Sequence, residues 1–204
     1  LGVISTLGPI VAAVVAVALV VLAILMIATV ASDSFRLWPT PGKNSWQNYT
    51  FWPLFRTSMG GLPVAAILLA DLSGPLWWLQ LLIGIPLIAV GFGLTFYAYF
   101  DLGIENTYGA DESLVTGGLY HYSRNPQYVA SIMGYLGIGA AAGSSVVWAL
   151  VALAVLVYSL MPLAEEPWLR KKFGADYDHY MKTTPRFLSW RKLPFIHMPQ
   201  ESGN

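Results

Sequence analysis

Residues 7–30 form an apolar run free of charged side chains, long enough to cross a bilayer core, which takes about 20 helical residues. Four further apolar runs follow, at residues 54–72, 76–100, 127–143 and 145–163. The pattern predicts an all-α integral membrane protein with about five transmembrane helices. A cleaved signal peptide is the rival reading of the first run, since Thr29-Val30-Ala31 resembles a small-x-small site. The run lacks a basic start, however, and exceeds the usual h-region of about 7–15 residues. It is therefore expected to be the first membrane helix.

The polar stretches between these runs set the connections. Residues 32–53 are polar and rich in rings, with Phe35, Trp38, Trp46, Tyr49, Phe51 and Trp52. Such residues settle at the headgroup level, so an interfacial loop is expected, with stacking on a cofactor as a second use. Ser73-Gly74-Pro75 and Gly143-Ser144 are too short to be anything but the turns of antiparallel hairpins. Gly60-Gly61 and Pro63 weaken the second run, and Pro86 is expected to kink the third. Gly84, Gly91 and Gly93 would let the third run pack closely against a neighbour. The acids Asp101, Glu105, Asp111 and Glu112 place residues 101–124 outside the hydrocarbon.

Two polar blocks stand out in this apolar chain. Residues 114–128 contain the breaker pair Gly117-Gly118, and then Asn125-Pro126, a turn or the first turn of a new helix, where proline sacrifices no backbone bond. Arg124 then lies at the mouth of a membrane helix. The second block starts with Glu165-Glu166 inside the end of the last apolar run and continues to Arg186. Within it Arg170-Lys171-Lys172 extend the helix, Phe173-Gly174 stop it, and Tyr177 and Tyr180, three apart, share one face of a short helix. Residues 198–204 are expected to be a frayed tail.

Composition confirms the class and narrows the chemistry. Of 204 residues, 56% are hydrophobic and only 11% charged, with mean hydropathy +0.58, a balance expected of a membrane protein. The formal net charge is zero, so no global field points to nucleic acid. The absence of cysteine removes disulfides, thiolate nucleophiles and Cys-ligated metals. His121, His179 and His197 have no helical pairing, so no metal site is expected. In a five-span arrangement every Lys and Arg falls on one side. The positive-inside rule makes that side cytoplasmic, with the N-terminus outside and the C-terminus inside. Both polar blocks fall on this same face.

Acids at the end of a membrane helix mark either the water boundary or a functional site, because an acid at helix centre carries a penalty of about 2.5–3.5 kcal/mol. Adjacent helix positions point roughly 100° apart, so at least one of Glu165 and Glu166 must face inward. Arg124 alone is an ordinary positive-inside anchor. Beside an inward glutamate it completes a pair that can hold a zwitterionic amino-acid head group by both ends.

The run Leu-Val-Thr-Gly-Gly-Leu-Tyr from Leu114, then Arg124-Asn125-Pro126-Gln127-Tyr128, a hydrophobic hairpin, Glu165-Glu166 with Leu169, Phe173-Gly174 with Tyr177 and Tyr180, and Pro185-Arg186-Phe187 together resemble the isoprenylcysteine carboxyl methyltransferases and the related phospholipid N-methyltransferases. Two positions depart from the usual pattern: Asn125 stands where histidine is usual, and Ala130 where glycine is. The resemblance covers about the C-terminal half. It implies S-adenosylmethionine bound at the cytoplasmic membrane face, and a lipidic or small apolar acceptor arriving from the bilayer. By the same resemblance Leu114, Val115, Gly118, Tyr120, Asn125, Pro126, Tyr128, Tyr177 and Tyr180 shape the cofactor pocket. Glu165 or Glu166 takes the cofactor's amino group, and Arg124 sits nearest the reacting groups, so that Arg124, Glu165 and Glu166 carry the catalysis. The chain then reads as one membrane-embedded domain, with N-terminal helices and an interfacial loop at 1–113 and a cofactor-binding, catalytic half at 114–190. A nicotinamide-dependent reductase of the sterol-reductase type and a non-enzymatic accessory or transport protein are the alternatives.

Overall fold

The computed structural model describes residues 2–102 and 114–188. Their regular structure is helical: α1 (Gly2–Ala31), α2 (Trp46–Leu68), α3 (Trp77–Leu102), a 3₁₀ turn (Gly118–His121), α4 (Pro126–Ala142), α5 (Ser145–Phe173) and α6 (Ala175–Thr183). Most of the acidic connection after α3 and the tail at 198–204 lie outside the described residues.

Three helices are long and apolar enough to cross a membrane, over Thr6–Ala31, Trp77–Phe100 and Ser145–Phe173. The all-helical membrane class holds, and five spans remain an expectation for α2 and α4. At 17 residues α4 rises about 25 Å, the short end of what crosses a bilayer core. In α2 the aromatic, polar first turns dilute the apolar stretch that follows.

The start of α2 corrects the sequence reading. Trp46, Tyr49, Phe51 and Trp52 were expected in an interfacial loop, but they are helical, because Ser45 caps the helix by accepting from the Asn48 amide at 3.2 Å. A serine N-cap satisfies an amide that the helix itself cannot. Winding this stretch brings rings together on one face: Phe51 stacks on Trp38 at 4.3 Å and on Phe55 at 5.2 Å. The loop before α2 is tied down by Thr29, whose hydroxyl donates to Leu25 O at 2.9 Å and accepts from the Leu37 amide at 3.0 Å. Leu37 and Trp38 are consequently buried.

Helices α1, α2 and α5 pack together, while α3 lies chiefly against α4. Glycines make that last contact possible. A Cβ on Gly84 would lie 2.6 Å from Ala141 Cβ, and one on Gly137 would lie 2.7 Å from the Ile88 amide nitrogen. Gly91 and Gly134 approach just as closely, whereas Gly93 meets nothing within 4 Å. Leu82, Ile85, Val90 and Phe96 of α3 are exposed, a face suited to lipid.

Helix α5 runs unbroken past Glu165-Glu166 and ends where expected, at Gly174, whose φ of 54° places it in the region that favours glycine. Tyr177 and Tyr180 then lie buried on one face of α6, as their spacing predicts.

Candidate active site

Asn125 caps α4 and Pro126 fills its first position, so the polar block reaches the helix mouth as its sequence requires. The Asn125 side chain does not bond its own helix. Its Nδ2 donates to Arg186 O at 2.9 Å, beside an Arg124 amide that donates to Pro185 O at 2.9 Å. The Tyr180 hydroxyl donates to Tyr120 O at 2.6 Å. These bonds strap the segment after α6 across the loop before α4, joining the two polar blocks. Burial pushes the Tyr177 and Tyr180 hydroxyls well above their ordinary range, so both remain neutral near pH 7.

The blocks wall one side of a cavity of about 330 Å³, near the lower end for small-molecule sites. Arg124, Glu165, Leu114, Val115, Tyr120, Asn125, Tyr128, Tyr177 and Tyr180 line it. Of the expected pocket residues, Gly118, Pro126 and Glu166 do not. Gly118 supplies the positive φ of 55° that starts the 3₁₀ turn, and Pro126 starts α4.

The two glutamates have separate surroundings. Glu165 faces the cavity, where its Oε1 accepts from Trp38 Nε1 and from the Tyr128 hydroxyl, each at 2.5 Å. Glu166 points away from it and is 8% exposed. Arg186 grips both its oxygens, Nε to Oε1 at 2.8 Å and Nη2 to Oε2 at 2.6 Å, and Arg124 Nη2 reaches Oε1 at 3.0 Å. Its own bonds to Glu166 raise the Arg186 pKa further. Arg124, whose side chain is 9% exposed, keeps Nε and Nη1 buried with no hydrogen-bond partner among the described residues.

Sequence reasoning missed the opposite wall. Trp38, Phe51, Trp52 and Phe55 line the cavity, so the rings assigned chiefly to a headgroup belt include part of the site. Thr95, Ser131 and Tyr158 add hydroxyls, with Thr95 and Ser131 bonded at 3.2 Å. The ring-rich stretch was visible in the sequence, but only the Ser45 cap and the Thr29 anchor turn it inward.

A helical membrane protein with an arginine and a glutamate facing one aromatic cavity defines the class. Residues 79–176, a little under half of the chain, match the phospholipid methyltransferase family. Nickel-cobalt-cadmium resistance protein NccN of Alcaligenes xylosoxydans xylosoxydans is 31% identical over 133 residues, 61% of this chain and 60% of that protein. Steroid 5-alpha-reductase DET2 of Solanum lycopersicum is 31% identical over 119 residues, 54% of this chain and 44% of that protein. Cobalt-zinc-cadmium resistance protein CzcN of Cupriavidus metallidurans is 37% identical over 78 residues, 38% of this chain and 36% of that protein. The matched stretches thus span from about a third to three fifths of these relatives. No solved structure matches.

Proposed function

We propose that the protein is an S-adenosylmethionine-dependent methyltransferase of the membrane, acting on a lipidic or small apolar acceptor. The observation that carries this reading is Arg124, which lines the same cavity as Glu165 and whose buried guanidinium keeps two donors unpartnered among the described residues. A cation short of partners attracts a carboxylate, and a carboxylate attracts an ammonium, so the residues fit the two ends of an amino-acid head group. S-adenosylmethionine carries such a head group and, when bound, supplies a methyl on a sulfonium for in-line displacement.

The residues then divide the work. Arg124 takes the head group's carboxylate and Glu165 its ammonium, while Trp38 and Tyr128 hold Glu165 in one orientation. The wall of Trp38, Phe51, Trp52 and Phe55 gives an apolar acceptor a surface to lie against and keeps water from the reacting groups. The cavity face carrying Arg124 is assigned to the cytoplasmic side by the distribution of basic residues.

A nicotinamide-dependent reductase is the second reading, favoured by the likeness to a steroid 5-alpha-reductase. Titration of the purified protein with S-adenosylhomocysteine and, separately, with NADPH decides between them. Saturable binding of S-adenosylhomocysteine, weakened tenfold or more by Glu165→Gln through loss of a charge-assisted bond of roughly 1.5–3 kcal/mol, is the expected result. Saturable binding of NADPH alone would replace this reading with the second.

A further inference from the structure

We propose that Arg186 is a positioning residue that keeps Arg124 available to the cavity. Arg186 and Arg124 share a single carboxylate, Glu166. Two guanidinium groups against one carboxylate leave the cluster with one positive charge in excess. Arg186 holds the larger share, with both Glu166 oxygens bonded at 2.8 and 2.6 Å, and Arg124 reaches only Oε1, through Nη2 at 3.0 Å. With Arg186 bonded across both oxygens, Arg124 makes a single bond to Glu166, and its Nε and Nη1 stay without a partner among the described residues. The cation with the larger hold on the carboxylate is therefore not the one that lines the cavity.

Removing Arg186 reverses this arrangement. A buried carboxylate facing a single arginine draws it into a paired fork, since an uncompensated buried charge is strongly unfavourable. Arg124 then commits a second donor to Glu166 and is drawn away from the cavity it lines. The backbone supports the same division of labour: Pro185 O and Arg186 O accept from the Arg124 amide and Asn125 Nδ2, so the segment bearing Arg186 is fixed beside Arg124. With its side chain 39% exposed, Arg186 is far more open to solvent than Arg124.

The ligand arm of the test rests on the proposed function; the other arm does not. The first measurement is the side-chain ¹⁵Nε–H signal of Arg124 in ligand-free protein, assigned by its loss in Arg124→Lys. Arg186→Ala is expected to move this signal as Nε acquires a carboxylate partner, and Arg186→Ala with Glu166→Gln is not. The second is affinity for S-adenosylhomocysteine, expected to fall about tenfold in Arg186→Ala, the loss of one charge-assisted bond. Millimolar guanidinium, but not ammonium, should restore it by refilling the vacated place. Arg186→Lys, which keeps the charge but not the fork, serves if Arg186→Ala fails to fold, and should give a smaller shift in both readouts. An Arg124 signal unmoved in whichever of these variants folds would overturn the proposal. Failure of the parent protein to bind S-adenosylhomocysteine would instead remove the proposed function and leave the signal to decide this point.

Discussion

Arg124 shows how little of a residue's role its position alone reveals. At the mouth of α4 it has the placement of an ordinary interfacial anchor, which lysine would serve as well. In the folded protein one nitrogen is spent on Glu166 and two others are buried without partners among the described residues. Lysine has one compact ammonium and cannot bond Glu166 while also presenting donors at two separated points. Arg124→Lys should therefore insert and fold normally but bind S-adenosylhomocysteine about tenfold or more weakly, measured by titration. Unchanged binding with lost methyl transfer would move Arg124 from the cofactor to the acceptor. The inward glutamate was also legible only as a choice between two: the 100° step between neighbours requires one to turn inward. Which one depends on Trp38 and Tyr128 approaching from one side and the arginines from the other.

At the level of elements, the sequence revealed most where a boundary is local chemistry. The α5 stop at Gly174, the Asn125-Pro126 start of α4 and the shared face of Tyr177 and Tyr180 follow from residues within a turn of each other. The start of α2 did not, because an aromatic stretch reads alike as belt or helix until its cap is identified. Glycines give a sharper test. Gly84, Gly91 and Gly93 looked equivalent in sequence, but only the first two touch α4. Gly91→Leu should force α3 from α4 at a cost of roughly 1–3 kcal/mol or more, read as a lower melting temperature in detergent. Gly93→Leu should leave it unchanged within about 0.5 kcal/mol, the range for open positions. Equal losses in both variants would mean that the close approach of α3 to α4 does not hold these helices together.

Across the whole molecule, hydropathy identified the membrane class and the helical fold, because both depend on long runs rather than on particular contacts. It also leaves the number of crossings to α2 and α4, whose ends mix polar and apolar residues. Sidedness can be tested directly. A reporter fused after Asn204 should read cytoplasmic, and one inserted at Ser73-Gly74, between α2 and α3, should read the opposite side; agreement between the two would reject the arrangement. The joining of Glu166 to Arg186 was beyond sequence reasoning, since it requires α6 to turn the chain back through 20 residues.

The cavity has two sources. Its polar side comes largely from within residues 79–176, the stretch that matches the family, while Trp38, Phe51, Trp52 and Phe55 lie ahead of it. Kinship measured over the matched stretch is thus silent about the wall of Trp38, Phe51, Trp52 and Phe55. Under the proposed function, proteins alike in the part that grips a head group can differ freely in the surface offered to its recipient. A shared ancestry along these lines leaves room for relatives named for metal resistance and for steroid reduction beside one another.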